Sequence, residues 1–164
     1  MREWQAYASS RGLTYEPARR LKKERIGGRT FPSMNLASET LRGVVRGVEV
    51  VLQPSTSGGA VGGRTVARGV SVNPLLGQVT LEAANGSVLI GHGDAVLGAR
   101  LLSGEDVHDV LALLGERGSA ELDYDTGAVR VRWTGLEVDP HHLDSAMQLV
   151  STICLVGPAG GPYR

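Results

Sequence analysis

The reading of this chain turns on Gly91-His92-Gly93-Asp94-Ala95-Val96-Leu97-Gly98-Ala99-Arg100-Leu101-Leu102-Ser103-Gly104-Glu105, where the sequence changes character. Before it, β-branched segments alternate with glycine turns. After it, apolar residues recur at helical spacing, interrupted by one hairpin. The stretch is therefore a seam between sheet and helix. It is also the first candidate for chemistry, because His92 and Asp94 stand there between glycines, and an imidazole oriented by a carboxylate makes a general acid–base pair. The competing reading is structural: the glycines turn the chain and Asp94 accepts hydrogen bonds from turn amides. The structural reading is preferred, which leaves His92 and Asp94 as weak catalytic candidates.

Upstream of the seam lie two hairpin signatures. Leu41 to Gln53 is β-branched on both sides of Arg46-Gly47, with Val48, Val50 and Leu52 alternating against Glu49 and Gln53. Pro54 is expected to close that strand. Gln78–Ala83 and Ser87–Ile90 flank Asn85-Gly86, the preferred pair for a type I′ turn. Between the hairpins, Ser55 to Gly63 is a glycine-rich loop. A phosphate-cradling role fails on context, because an alternating strand (Arg64–Val72) follows it instead of a helix. Residues 2–11 form an amphipathic helix with Trp4, Tyr7 and Ala8 on one side and Gly12 as its stop.

Downstream, Ser103 is expected to open a helix, with Val107, Val110, Leu111 and Leu114 as its buried stripe. Ala120–Tyr124 and Ala128–Trp133 alternate strictly around Asp125-Thr126-Gly127, placing Glu121 and Asp123 across from Arg130 and Arg132. Asp139-Pro140 then caps a last helix whose apolar face is Leu143, Ala146, Met147, Val150, Ile153 and Cys154.

Composition bounds the rest. The chain has 164 residues, enough for one domain, and the expected limits are a single α+β domain over 1–157 and a flexible tail over 158–164. Only 4% of residues are aromatic, so the core must be aliphatic. The net charge is zero but unevenly placed: residues 1–30 carry eight Lys or Arg against three Glu, and residues 105–144 carry ten acids against three Arg. That dipole can fold back on itself, pair with a second copy, or offer a basic arm to an anion. The basic segment Arg19-Arg20-Leu21-Lys22-Lys23-Glu24-Arg25 reads first as a solvated connector or short surface helix. Arg19, Arg20, Lys22, Lys23 and Arg25 are its anion-binding candidates. Nucleic acid is disfavoured because no aromatic platform or recognisable module accompanies them.

No metal or cofactor site is expected. His92, His108, His141 and His142 form no HExxH, and the lone Cys154 pairs with none of them at metal spacing. No nucleophile elbow is present. No apolar run reaches a membrane span and Met1–Gln5 lacks a signal-peptide core, so a cytoplasmic location is expected.

Gly93-Asp94 with Leu101, then a charged helix and a hairpin leading into an apolar helix, resembles a diffuse group of bacterial α+β domains with no assigned activity. Arg11-Gly12-Leu13 after the first helix fits the same pattern. Leu97-Gly98 departs from it, standing where that group carries a Phe-Asp pair. The resemblance implies a fold and no activity.

The fold expected is α+β: an N-terminal helix, an antiparallel sheet of about five strands, then helix, hairpin and helix. The function expected is non-enzymatic, an accessory or protein-interaction domain that binds a protein partner or itself. The first alternative is a small-molecule-binding or enzymatic domain with a pocket between the sheet and the last helix, His92 and Asp94 at its mouth. The second is an anion or nucleic-acid contact through the basic segment.

Overall fold

The computed structural model describes residues 2–20, 24–26, 28–31, 36–37, 39–55 and 63–158. Helix α1 (Arg2–Arg11) buries Trp4, Tyr7 and Ala8 and ends at Gly12, whose φ of +68° suits a residue without Cβ. Strand β1 (Thr14–Glu16) follows. The basic segment departs from the expected connector or helix. Strands β2 (Arg19–Arg20), β3 (Glu24–Ile26), β4 (Arg29–Phe31) and β5 (Leu36–Ala37) make two antiparallel ribbons, β2 with β5 and β3 with β4. Its two apolar residues, Leu21 and Ile26, are five apart and cannot share a helix face, so helical packing had nothing to gain there.

Strands β6 (Thr40–Val45) and β7 (Val48–Ser55) form the first long hairpin, with Arg46 and Gly47 both at positive φ as a type I′ turn requires. Pro54 does not close β7. The strand runs on to Ser55, with Pro54 opposite Thr65 of β8 (Arg64–Val70). Strands β9 (Gln78–Ala84) and β10 (Ser87–Gly93) form the Asn85-Gly86 hairpin, and β10 passes through a bulge between Ile90 and His92.

The seam holds a helix that periodicity did not reveal. Asp94 caps α2 (Ala95–Leu102), accepting from the Val96 and Leu97 amides. Ser103, expected to open a helix, closes this one; α3 (Val107–Leu114) begins later, after Asp106. Strands β11 (Ser119–Asp125) and β12 (Ala128–Thr134) form the second well-signalled hairpin. Helix α4 (Pro140–Cys154) opens on the Asp139 cap.

The chain is α+β, with four helices among the described residues and an antiparallel sheet of eight strands where about five were expected. The sheet order is β1-β6-β7-β8-β12-β11-β9-β10. The late hairpin thus lies inside the sheet, between β8 and β9, which are consecutive in the chain. Both its strands alternate strictly and pair on both edges, as interior strands must.

Register makes the two faces of this sheet very different. One transverse row reads Tyr15, Leu41, Leu52, Ala67, Val131, Leu122, Leu81, Ile90 across all eight strands, apolar throughout. The helices lie on this face. A Cβ on Gly69 of β8 would meet Val150 and Cys154 of α4, and one on Gly98 of α2 would meet Val79 and Ile90. The adjacent row on the other face reads Thr14, Arg42, Val51, Arg68, Arg130, Asp123, Thr80, His92. No helix among the described residues covers it.

Candidate interaction surface

The uncovered face is a lattice of charges set by the two-residue strand period. Arg42 reaches Glu49 at 3.1 Å and Glu16 at 3.5 Å. Arg130 reaches Asp123 at 2.9 Å, and Arg132 pairs with Glu121, the cross-strand partners read from the sequence. Thr80 Oγ1 donates to Asp123 Oδ1 at 2.9 Å, and Arg68 donates to Gln53. Arg68 and Arg130 stand directly opposite one another on β8 and β12, an arrangement that repels unless acceptors flank it.

Within this lattice lies an open depression of about 690 Å³. It is lined by the apolar Val51, Val70 and Ala128 and by a charged rim of Arg42, Glu49, Arg68, Asp123, Asp125 and Arg130. Val70 is 72% exposed and Val44, one strand beyond Glu49 in the same row, is 70% exposed. Apolar side chains thus stand among charges of both signs. The three arginines and three acids of the rim cancel, so no single sign of ligand is selected.

The acid–base candidates do not converge. His92 lines a separate shallow depression of about 270 Å³ with Thr80, Asp123 and Arg130, and its Nε2 lies 3.4 Å from Thr80 Oγ1. Asp94 is not part of that lining. Its Oδ1 accepts from Val96 N at 3.0 Å and Leu97 N at 3.1 Å, so the carboxylate is committed to the helix start. The interface between the sheet and α4, the other place expected for a pocket, is filled by Leu143, Ala146, Val150, Ile153 and Cys154, all fully buried.

Of the anion candidates, Arg19, Arg20 and Arg25 lie on the short ribbons by backbone position, and Lys22 and Lys23 fall outside the described residues. His141 and His142 open α4, and His142 Nδ1 lies 3.2 Å from Glu137 Oε1. Among the described residues, no group of three His, Cys, Asp or Glu side chains is arranged to hold a metal ion. Burial pushes the Cys154 thiol up to about 12, which keeps it a protonated core side chain. The basic N-terminus does fold back onto the acidic half at one point: Arg11 Nη2 meets Asp144 Oδ2 at 2.9 Å, and Tyr7 Oη donates to Asp144 Oδ1 at 2.7 Å.

Sequence reasoning missed Glu137. Only 3% exposed, it accepts from Trp133 Nε1 at 3.3 Å and Arg117 Nη1 at 3.1 Å, while its amide donates to Thr65 Oγ1 at 2.8 Å. It pins the β12–α4 connection to β8, β12 and the end of α3. No spacing rule picks out an isolated Glu in Leu136-Glu137-Val138, because each of its partners comes from another element.

No protein-family model matches the chain, and no curated protein sequence matches it. A solved structure is similar in fold: the crystal structure of the mycobacterial trehalose monomycolate transport factor A, TtfA. The TM-score is 0.59 and the identity 13%, over 96% of this chain and 96% of that one. The shared arrangement therefore spans nearly the whole of both chains, which supports the α+β fold. No helix among the described residues is long and apolar enough to cross a membrane.

Proposed function

We propose that this chain is a non-enzymatic accessory domain that binds a protein partner on the open face of its sheet. The observation that carries this reading is the pair of exposed valines, Val44 and Val70, at a depression lined by three arginines and three acids. Apolar side chains at that exposure stabilise a complex when a partner removes them from water, at roughly 25 cal/mol per Å² of apolar area. The charged rim fixes orientation and excludes wrong partners.

The test is site-specific photocross-linking in the producing cell. A photoreactive side chain at Val70 is expected to give a discrete cross-linked protein, lost when Arg68→Glu and Arg130→Glu are added. The same probe at exposed Glu116, at the end of α3, should not give it. Identical products from positions 70 and 116, or a Val70 product indifferent to the rim substitutions, would sink the reading.

A further inference from the structure

Among the described residues the open face is one uncovered surface; the end of the sheet is another. Its two edges differ. Strand β1 is three residues long and carries Glu16, both ordinary protections against strand addition. Strand β10 is seven residues, Ser87-Val88-Leu89-Ile90-Gly91-His92-Gly93, without Lys, Arg, Asp, Glu or Pro. Its one protective irregularity, the bulge after Ile90, leaves Ser87 to Ile90 in regular register. Leu89 is 65% exposed on this strand. Helix α2, lying over β9 and β10, likewise exposes Ala95, Val96 and Ala99, and Asp94 at its start is bonded to the helix's own amides.

We infer that β10 is the edge through which two copies of this chain join, antiparallel about a two-fold axis at Leu89, into one continuous sheet. Three observations commit the occupant to a second copy. The first is hydrogen-bond phase. Ser87 faces Ala84 across a two-residue turn, so that pair exchanges hydrogen bonds; by alternation Val88 and Ile90 aim their N–H and C=O groups away from β9. The second is register. With the axis at Leu89, Val88 of one copy falls opposite Ile90 of the other as a hydrogen-bonded pair, and Leu89 meets its own counterpart as the closer non-bonded pair. These three central pairs are apolar against apolar, and Ser87 of each copy falls opposite Gly91 of the other. The third is charge: the strand itself carries no charged residue to the axis, and the nearest acid on the open face, Glu82 of β9, leans over Gly91, which this register places opposite the uncharged Ser87 of the other copy. This joint does not depend on the partner-binding reading of the open face, which it leaves uncovered.

Sedimentation equilibrium of the full chain is expected to give twice 17.3 kDa. Leu89→Lys sets two ammonium groups on the axis and should halve that mass with the far-ultraviolet circular dichroism unchanged. An equimolar mixture of Leu89→Lys and Leu89→Glu should restore it. Amide exchange gives a readout without any variant: exchange at Val88 and Ile90 should slow as protein concentration rises, while that at Leu89, bonded to β9, stays constant. A native mass of 17.3 kDa at the highest soluble concentration, a Leu89→Lys chain that remains a dimer, or exchange at Val88 and Ile90 that ignores concentration overturns the proposal.

Discussion

The Trp4 indole N–H donates to the Glu137 carbonyl oxygen at 2.6 Å, joining residues 133 apart in sequence. Both residues are buried, so the first helix and the loop before the last one share a single polar contact away from water. The Glu137 carboxylate is held at the same place by Trp133, Arg117 and the Asp139 amide. Glu137→Ala leaves the Trp133 N–H buried without an acceptor and should cost about 2–3 kcal/mol in urea unfolding. Glu137→Gln keeps an acceptor and should cost less. Equal losses for the two variants would show that the carboxylate is not what holds the loop.

Gly69 supplies a close approach and no unusual backbone angle. A Cβ there would stand 2.8 Å from Val150 Cγ1 and 3.0 Å from Cys154 Sγ. Gly69→Ala is expected to lower stability by about 1–3 kcal/mol through overpacking. Adding Cys154→Ala, which opens space on α4, should recover part of the loss, and the double-mutant cycle measures the coupling.

Asp94 gives a cleaner separation between chemistry and architecture. Asp94→Ala removes the cap of α2 and should cost about 1 kcal/mol, whereas Asp94→Ser or Asp94→Asn should retain most of it. His92→Ala should leave the unfolding midpoint unchanged, since its ring is exposed and makes one long contact to Thr80.

Asp144 predicts an acid limb. Arg11 first, and then the Tyr7 hydroxyl, hold its carboxyl below the ordinary value of 3.8 against the opposing effect of burial. A folded value below the unfolded one means that the stabilisation is present above the unfolded value and is lost as pH falls through the folded one. Thermal midpoints of the native chain and of Asp144→Asn should therefore differ at pH 6, and the gap should close as pH falls below 3.8 and through the lowered folded value. A constant gap across that range would contradict the assignment.

Cys154 should be silent toward thiol reagents. With its thiol pushed up to about 12 by burial, labelling at pH 8 should proceed only through unfolding, at a rate that rises with urea in step with the loss of circular dichroism.

What could be read beforehand follows the range of the forces involved. The hairpin turns were legible because Arg46-Gly47 and Asn85-Gly86 specify their own geometry within four residues. So were α1, α4 and the Asp123–Arg130 and Glu121–Arg132 pairs, all functions of spacing along one element or across one tight turn. Helix α2 was hidden because it is two turns long and contains Gly98, a residue that usually argues for a turn. Gly98 is there for a reason outside the helix, the contact with Val79 and Ile90. The open face was equally hidden. Val70 reads as one more strand valine, and only the order of strands puts it opposite Ala128 on a face that no helix among the described residues covers. His92 and Asp94 attracted attention by chemistry alone, and two residues of separation across a strand end sent them to different tasks.

The position of the β11–β12 hairpin sets an order on folding. Strands β6 to β8 and the β9–β10 hairpin are complete by residue 93, yet each then ends on an edge, β8 and β9, whose neighbours lie between residues 119 and 134. In the native sheet β12 and β11 fill the two-strand gap between those edges. The native sheet closes only when β11 and β12 take their place in its middle, and pairing of such long range predicts slow folding for a chain of this size. Any truncation before residue 134 leaves two open templates for pairing with other chains.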